Sequence, residues 1–357
     1  MQRSSTTMSR SGHRTTTAFE QYVSGRRALL DGTAFFLESV AHAGAVLQIA
    51  EPADVIFAPS STAQPEDPRM VGYLGGFRRP GDVIAVDGRL AVELQDYVAA
   101  PLLSIGGPTV VRQRSAEGIA AFLSDADTAR ECGIFVDQLL DRHVLLDVRA
   151  LFAGADGARD ALVRVHVTAA GEYRDGVDGL LLGHVGDERA DIEASAAVGA
   201  GPGRAFARIV DPAMLAADLD DRPWIGRYAA LLELLRRWDD VPRRPTVSGF
   251  GGHLVRALDE GAAYPSVLSA DAPFLLAVDM GEYLLADPVS GRRFPLDPDT
   301  ARAAECLIAT ADESAATALL ATELGVRVGD AAQIVRDVQD GFAAAGLDLV
   351  RRGRDAA

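Results

Sequence analysis

The chain has no lysine. Its 357 residues carry 35 basic side chains, all arginine, against 51 acidic ones, for a formal charge of −16. That absence excludes a lysine Schiff base and a P-loop lysine within the chain. The acidic balance disfavours nucleic acid as a partner, because phosphate backbones reward a basic footprint. The arginine bias goes with an excess of alanine and glycine, as high-GC genomes produce, so each arginine carries less functional weight than usual. Cysteine is nearly absent too: Cys132 and Cys306 lie far apart in apolar helical contexts. Both are expected as small buried hydrophobes in a reducing cytoplasm, rather than as a disulfide or a nucleophile. No apolar run approaches the roughly 20 residues that cross a bilayer, so no membrane partner is expected. The Ser-, Thr- and Arg-rich residues 1–17 lack the apolar segment of a secretory signal. A soluble, cytoplasmic protein is expected, with residues 1–18 a disordered tail.

Catalytic signatures are sparse. None of the six histidines (His13, His42, His143, His166, His184, His253) falls in an H-x-x-x-H or H-E-x-x-H spacing. His166 and His184 could meet across a hairpin beside Asp187, Glu188 and Asp191 as a metal patch, although a solvated acidic turn is the simpler account. No serine sits in a G-x-S-x-G elbow. Residues 199–203, Gly-Ala-Gly-Pro-Gly, are interrupted by proline and followed by no lysine, and read as a loop rather than a nucleotide cradle. Residues 248–254, Ser-Gly-Phe-Gly-Gly-His-Leu, read as a tight turn starting a helix at His253, the alternative being a catalytic base. No internal repeat is evident. Neither a cofactor nor a metal is expected.

The length exceeds a usual single core, so at least two domains are expected. Residues 19–260 read as a mixed α/β domain of unknown role. Strands are expected at 46–49, 53–58 and 82–86, a loop rich in Ser, Pro and Asp through Pro68, and a helix over 89–100. A helical pattern runs over 117–140, with Ile119, Phe122, Leu123, Ile134, Val136, Leu139 and Leu140. Residues 162–168 alternate cleanly and 179–185 follow a turn at Asp175-Gly176, which predicts a hairpin or meander. Residues 218–239 are helical, ended by Pro242 and Pro245. The fold class is α/β or α+β.

Residues 270–350 read as a smaller module. Two apolar runs, 274–279 and 283–287, flank a Met280-Gly281 turn and should form an antiparallel hairpin. Residues 292–297, Arg-Arg-Phe-Pro-Leu-Asp, put Arg292, Phe294 and Leu296 on one face and Arg293 and Pro295 on the other. Pro295 cannot donate to a ladder, so this strand should be an edge or carry a bulge. Asp297-Pro298 then fits a helix start, with Ala301, Ala304, Leu307, Ile308 and Ala311 at helical spacing. A second helix follows Asp312 through Ala316, Leu319, Leu320 and Leu324 to Gly325. Asp330 with Gln333 resembles a capping box before a third helix, whose stripe is Ala331, Ile334, Val335, Val338, Phe342 and Ala345, ending at Gly346.

Three strands followed by three helices, with the turn Asp-Pro-Val-Ser-Gly at 287–291 feeding a strand that contains Leu296, resembles the PqqD-like recognition element of ribosomal-peptide (RiPP) biosynthesis, a winged-helix-like fold. The resemblance covers about a quarter of the chain. Ala311-Asp312-Glu313 departs from the Asp-Gly that many members place before the second helix. The resemblance implies that the leader of a precursor peptide adds as a strand beside the third strand and packs on the third helix, by β-augmentation. Carried onto this sequence, it implies a groove with Arg292, Arg293, Phe294, Pro295 and Leu296 on one wall and Ile334, Val335, Val338 and Phe342 along the other. Most of that helical stripe is also expected in the core, because so small a domain needs nearly every apolar residue inside.

Three functions follow. With no resolved catalytic motif, the whole chain looks similar to the recognition proteins of daptide-type clusters. Those are non-catalytic adaptors that present a precursor to separate enzymes, among them an oxidative decarboxylase (dehydrogenase), an aminotransferase and a methyltransferase. The second reading is a modifying enzyme with a fused recognition element. The third is a winged-helix transcription regulator, which Asp330, Asp337 and Asp340 around the single Arg336 of the last helix argue against.

Overall fold

A computed structural model describes residues 4–25, 30–60, 67–147, 162–198, 203–238, 245–259, 270–279 and 281–350. The glycine-rich 199–202, Pro242, Met280 and the tip of the loop before Pro68 lie outside them. The chain divides into two compact units. The first comprises 1–122 and 143–221, the second 123–142 and 222–357. The boundary expected near residue 260 therefore falls at 222, and the second unit also claims a segment from the first half of the chain.

The first unit opens on α1 (Ser4–Ser24), where a disordered tail was expected. Thr15, Ala18, Phe19, Tyr22 and Val23 recur at helical spacing and are buried, so packing overrides a composition that reads as unstructured. Gly25, at a φ of 67°, ends the helix.

Ten strands follow: β1 (Ala34–Leu37), β2 (Val55–Pro59), β3 (Met70–Gly75), β4 (Val83–Val86), β5 (Leu90–Asp96), β6 (Thr109–Arg112), β7 (Val144–Asp147), β8 (Arg164–Val167), β9 (Glu172–Arg174) and β10 (Leu181–His184). They form one mixed sheet in the order β10-β9-β8-β1-β2-β3-β4-β5-β6-β7. The helix expected over 89–100 is instead β5 and a short 3-10 turn. Asp87-Gly88, both at positive φ, closes a tight hairpin between β4 and β5. The strand expected at 46–49 is the end of α2 (Ala43–Ile49), since a four-residue apolar run cannot separate the two periods.

The sheet is curled. β7 ends the strand order, yet Asp147 at its tip bonds to Arg164 of β8, near the other end. Alternate residues share the interior with α1: Ala34 and Phe36, Val55 and Phe57, Ile84 and Val86, Val92 and Leu94. Their neighbours Phe35, Leu37, Ile56, Ala58, Val165 and Val167 face a second core. That core includes residues of α2 and of α4 (Arg189–Val198). α3 (Ala116–Cys132) and α5 (Pro212–Asp220) complete the helices before residue 222.

In the second unit α6 (Ile225–Arg236) precedes a four-stranded antiparallel sheet, β11 (Thr246–Val247), β12 (Phe274–Asp279), β13 (Glu282–Ala286) and β14 (Arg293–Leu296), in that order. The two-residue β11 adds a strand to the three expected, being too short to leave a pattern. The one-turn α7 (Arg256–Asp259) lies between β11 and β12. Then come α8 (Pro298–Thr310), α9 (Glu313–Leu324) and α10 (Val328–Ala344). Asp297 caps α8, Asp312 caps α9 and Gly325 ends it at a φ of 64°. α10 begins earlier than its sequence signal: Arg327 is the N-cap residue and Asp330 pairs with Arg327 from inside the first turn. Alanines 301, 304, 316 and 331 are fully buried, which lets the three helices approach closely over Leu275 and Leu285 of the sheet.

Candidate functional site

Among the described residues β14 is an edge strand, paired with β13. It is positioned by the turn at 287–291, where the Asp287 carboxylate accepts from the Val289 and Ser290 amides and the Ser290 hydroxyl, and Gly291 takes a φ of 69°. Phe294 and Leu296 are half-buried against the helical core, whereas Arg293 and Pro295 face away and are exposed. α10 stands alongside. Phe294 meets Phe342 edge to face at 5.4 Å between centroids. Arg292 lies 4.8 Å over the Phe294 ring and donates to the Ala345 carbonyl at 2.6 Å, which complements the negative end of α10.

Of the expected strand residues Phe294 and Leu296 turn toward the helical core while Arg293 and Pro295 turn away, and of the expected helix residues Phe342 meets Phe294 directly. Val335 is fully buried, Val338 and Phe342 are buried, and Ile334 is half-buried against the same core. Two contributors left no sequence signal. Tyr283, opposite Leu296 on β13, is half-buried on the same core. Trp238, just past α6, carries the Arg293 guanidinium at 4.0 Å from its ring, while Arg293 also donates to the Arg237 carbonyl.

The serine- and histidine-bearing turn at 248–254 is occupied by a buried carboxylate. Glu305 accepts from the Ser248 hydroxyl (2.5 Å) and from the amides of Leu254 and Val255 (2.9 and 2.6 Å), with His253 Nδ1 at 3.3 Å. Ser248 Oγ also lies 3.4 Å from His253 Nδ1, so serine and acid share one ring nitrogen instead of flanking the ring as in a relay, and the cluster builds a turn. Cys306, next along α8, is buried and its thiol is pushed up to about 12 by burial and by Glu305. Cys132 is exposed, contrary to expectation.

In the first unit a chain of hydrogen bonds threads the curled sheet. The Tyr22 hydroxyl donates to His166 Nδ1 at 2.8 Å, and His166 Nε2 faces Glu38 Oε1 at 3.1 Å. Burial lowers the pKa of His166 and raises that of Tyr22, so the ring is neutral with its proton on Nε2. The bond from His166, helped by the Ala169 amide, holds Glu38 down to about 2. Beside this lies Arg164. Burial opposes its charge, but Asp147 and Asp175 sustain it, and it donates to the Tyr22 and Val23 carbonyls at the end of α1. Arg112 bonds to Asp147, and Arg204 to Asp175. The arrangement fastens α1 inside the sheet. His166 and His184 do not meet, because β9 pairs between their strands. Among the described residues no cluster of three or more His, Cys, Asp or Glu could hold a metal ion, and no helix is long and apolar enough to cross a membrane.

Comparison of the chain with family models, with curated proteins and with solved structures finds no match.

Proposed function

We propose that this chain is a recognition protein that takes the leader of a ribosomally synthesised precursor as an added strand along β14 and presents the rest of the peptide to separate modifying enzymes. The observation that carries the reading is an unpaired edge strand whose two half-buried apolar side chains lie beside α10. An added strand would take backbone hydrogen bonds from the edge and side-chain contacts from Phe294, Leu296 and Ile334. The order of three strands then three helices within the second unit supports a winged-helix-like, PqqD-like element. The partners are then the precursor peptide and enzymes such as a dehydrogenase or decarboxylase, an aminotransferase or a methyltransferase. The chain raises the effective concentration of peptide at their active sites without itself changing a bond.

The test has two parts. The precursor encoded beside the gene is titrated into the full chain by calorimetry, and is then incubated with the neighbouring enzymes with and without the chain. Binding through the leader, with modification accelerated only when the chain is present, is expected. Modification by this chain alone would replace the adaptor reading with an enzymatic one.

A further inference from the structure

The pairing of β14 with β13 assigns each of its backbone groups to a side. The Asp287 amide donates to the Arg292 carbonyl at 3.0 Å, and the register continues through Phe294 opposite Leu285 and Leu296 opposite Tyr283. Hydrogen-bonded pairs recur at every second residue of an antiparallel ladder. The amides and carbonyls of Phe294 and Leu296 therefore face β13, and those of Arg293 and Pro295 face the open edge. Pro295 has no amide hydrogen. Between the turn and the Asp297 cap of α8, the edge thus offers one donor, at Arg293, and two acceptors, at Arg293 and Pro295.

The side chains add a charge preference. Arg293 lies on Trp238 and Arg292 on Phe294, both bonded to carbonyl oxygens, and neither has a carboxylate partner among the described residues. This is notable in a chain of net charge −16. In an added strand, the residue opposite Arg293 shares the face of its side chain, while those opposite Phe294 and Leu296 point into the groove beside α10.

Resting on the recognition reading above, we infer that Arg293 sets the register of the bound peptide, and that the peptide presents two apolar residues two positions apart, with an acidic residue directly beside one of them, opposite Arg293. Pro295 makes this register unique by leaving the next outward position without a donor. An antiparallel peptide carries the acid on the C-terminal side of the apolar pair, and a parallel one on the N-terminal side.

The test pans a displayed library of random peptides on the full chain and on Arg293→Ala, Arg293→Glu and Pro295→Val, each checked for folding by circular dichroism. Parent selections should converge on apolar-x-apolar with an adjacent Asp or Glu, and hydrogen exchange of the complex should protect the Arg293 amide. Arg293→Ala should lose the acidic preference, and Arg293→Glu should weaken synthetic acidic hits roughly tenfold. Pro295→Val, which restores an outward amide, should tighten binding about fivefold and blur the register. Protection at Arg293 with no acidic preference, or a preference that survives Arg293→Glu, overturns this inference and leaves edge binding standing. Selected peptides whose protection falls elsewhere, or no selection at all, overturn both.

Discussion

The two sheets of this chain treat polar groups in opposite ways. In the first unit, Arg164, Asp147, Asp175 and Arg204 are all buried and pair with one another, and the curl of the sheet sets one end beside the other around α1. In the second, the sheet stops at β14 with backbone groups facing outward and two arginines without acidic partners among the described residues. Buried charges that are paired with one another favour one structure and resist change. An unsatisfied edge is the property a peptide receptor needs, and the exposure to aggregation that it brings is blunted by Pro295 and by the shortness of the strand. Buried arginines thus meet carboxylates in the first unit, whereas Arg292 and Arg293 of the second meet backbone carbonyls and aromatic rings.

The comparison breaks most readily in the buried network. Replacing Arg164 by leucine leaves Asp147 to Arg112 alone and Asp175 to Arg204 alone, beside an uncapped helix end, and should cost about 3 kcal/mol, read as a lowered urea midpoint. Charge-for-charge replacement of exposed Arg293 should leave that midpoint almost unmoved.

Similar in size is the contrast along α10. Val335→Asp puts a carboxylate in the core and should cost about 3 kcal/mol or more, with loss of helical circular dichroism on mild heating. Ile334→Asp, one residue earlier on the rim, should keep the fold and weaken peptide binding about tenfold by calorimetry.

Adjacent prolines sharpen the picture further. Phe294→Pro removes an inward amide from the ladder to β13 and should cost about 1–3 kcal/mol of stability along with binding. Arg293→Pro removes the outward amide together with the exposed contacts of its side chain to Trp238 and the Arg237 carbonyl, and should abolish peptide binding at a smaller cost in thermal midpoint than Phe294→Pro. Equal stability losses in the two variants would show that the inward and outward assignments are wrong.

The smallest effect is a pH dependence of the first unit. His166 has a lowered folded pKa, so below its ordinary value of 6.5 the unfolded chain takes up the proton more readily and stability falls. Glu38, held near 2 against an ordinary 4.5, contributes stability that is present above 4.5 and is lost as the pH falls toward 2. Urea titrations at stepped pH should show both slopes, and Glu38→Gln should make the lower one shallower.

Much of the second unit was legible because its signals are local. Caps at Asp297 and Asp312, the stop at Gly325, the turn at 287–291 and the edge character of Pro295 each depend on residues within a few positions of one another. The first unit is built from long-range pairs. Nothing near Arg164 announces Asp147 or the carbonyls of Tyr22 and Val23, and in a chain so rich in arginine none stands out. The Asp87-Gly88 hairpin could have been read, since that dipeptide marks the tight turn it forms. α1 could not, because its apolar stripe is short and its composition resembles a tail until the sheet that covers it is known. Trp238 meets Arg293, on the outward face of β14, only through the return of that strand past the end of α6.

The way α1 is fastened has a consequence for how the chain is made. Its last carbonyls are capped by a residue 142 positions downstream. On the ribosome, where domains emerge from the N-terminus first, α1 can pack on Phe36, Phe57 and Phe77 as they follow it, but its last carbonyls stay uncapped until β8 has been synthesised. Nascent chains stalled before residue 164 should therefore bind trigger-factor-type chaperones more strongly than chains stalled after residue 204. Mutations that weaken the Arg164 clasp would then reduce the yield of protein in the cell by more than their equilibrium cost implies.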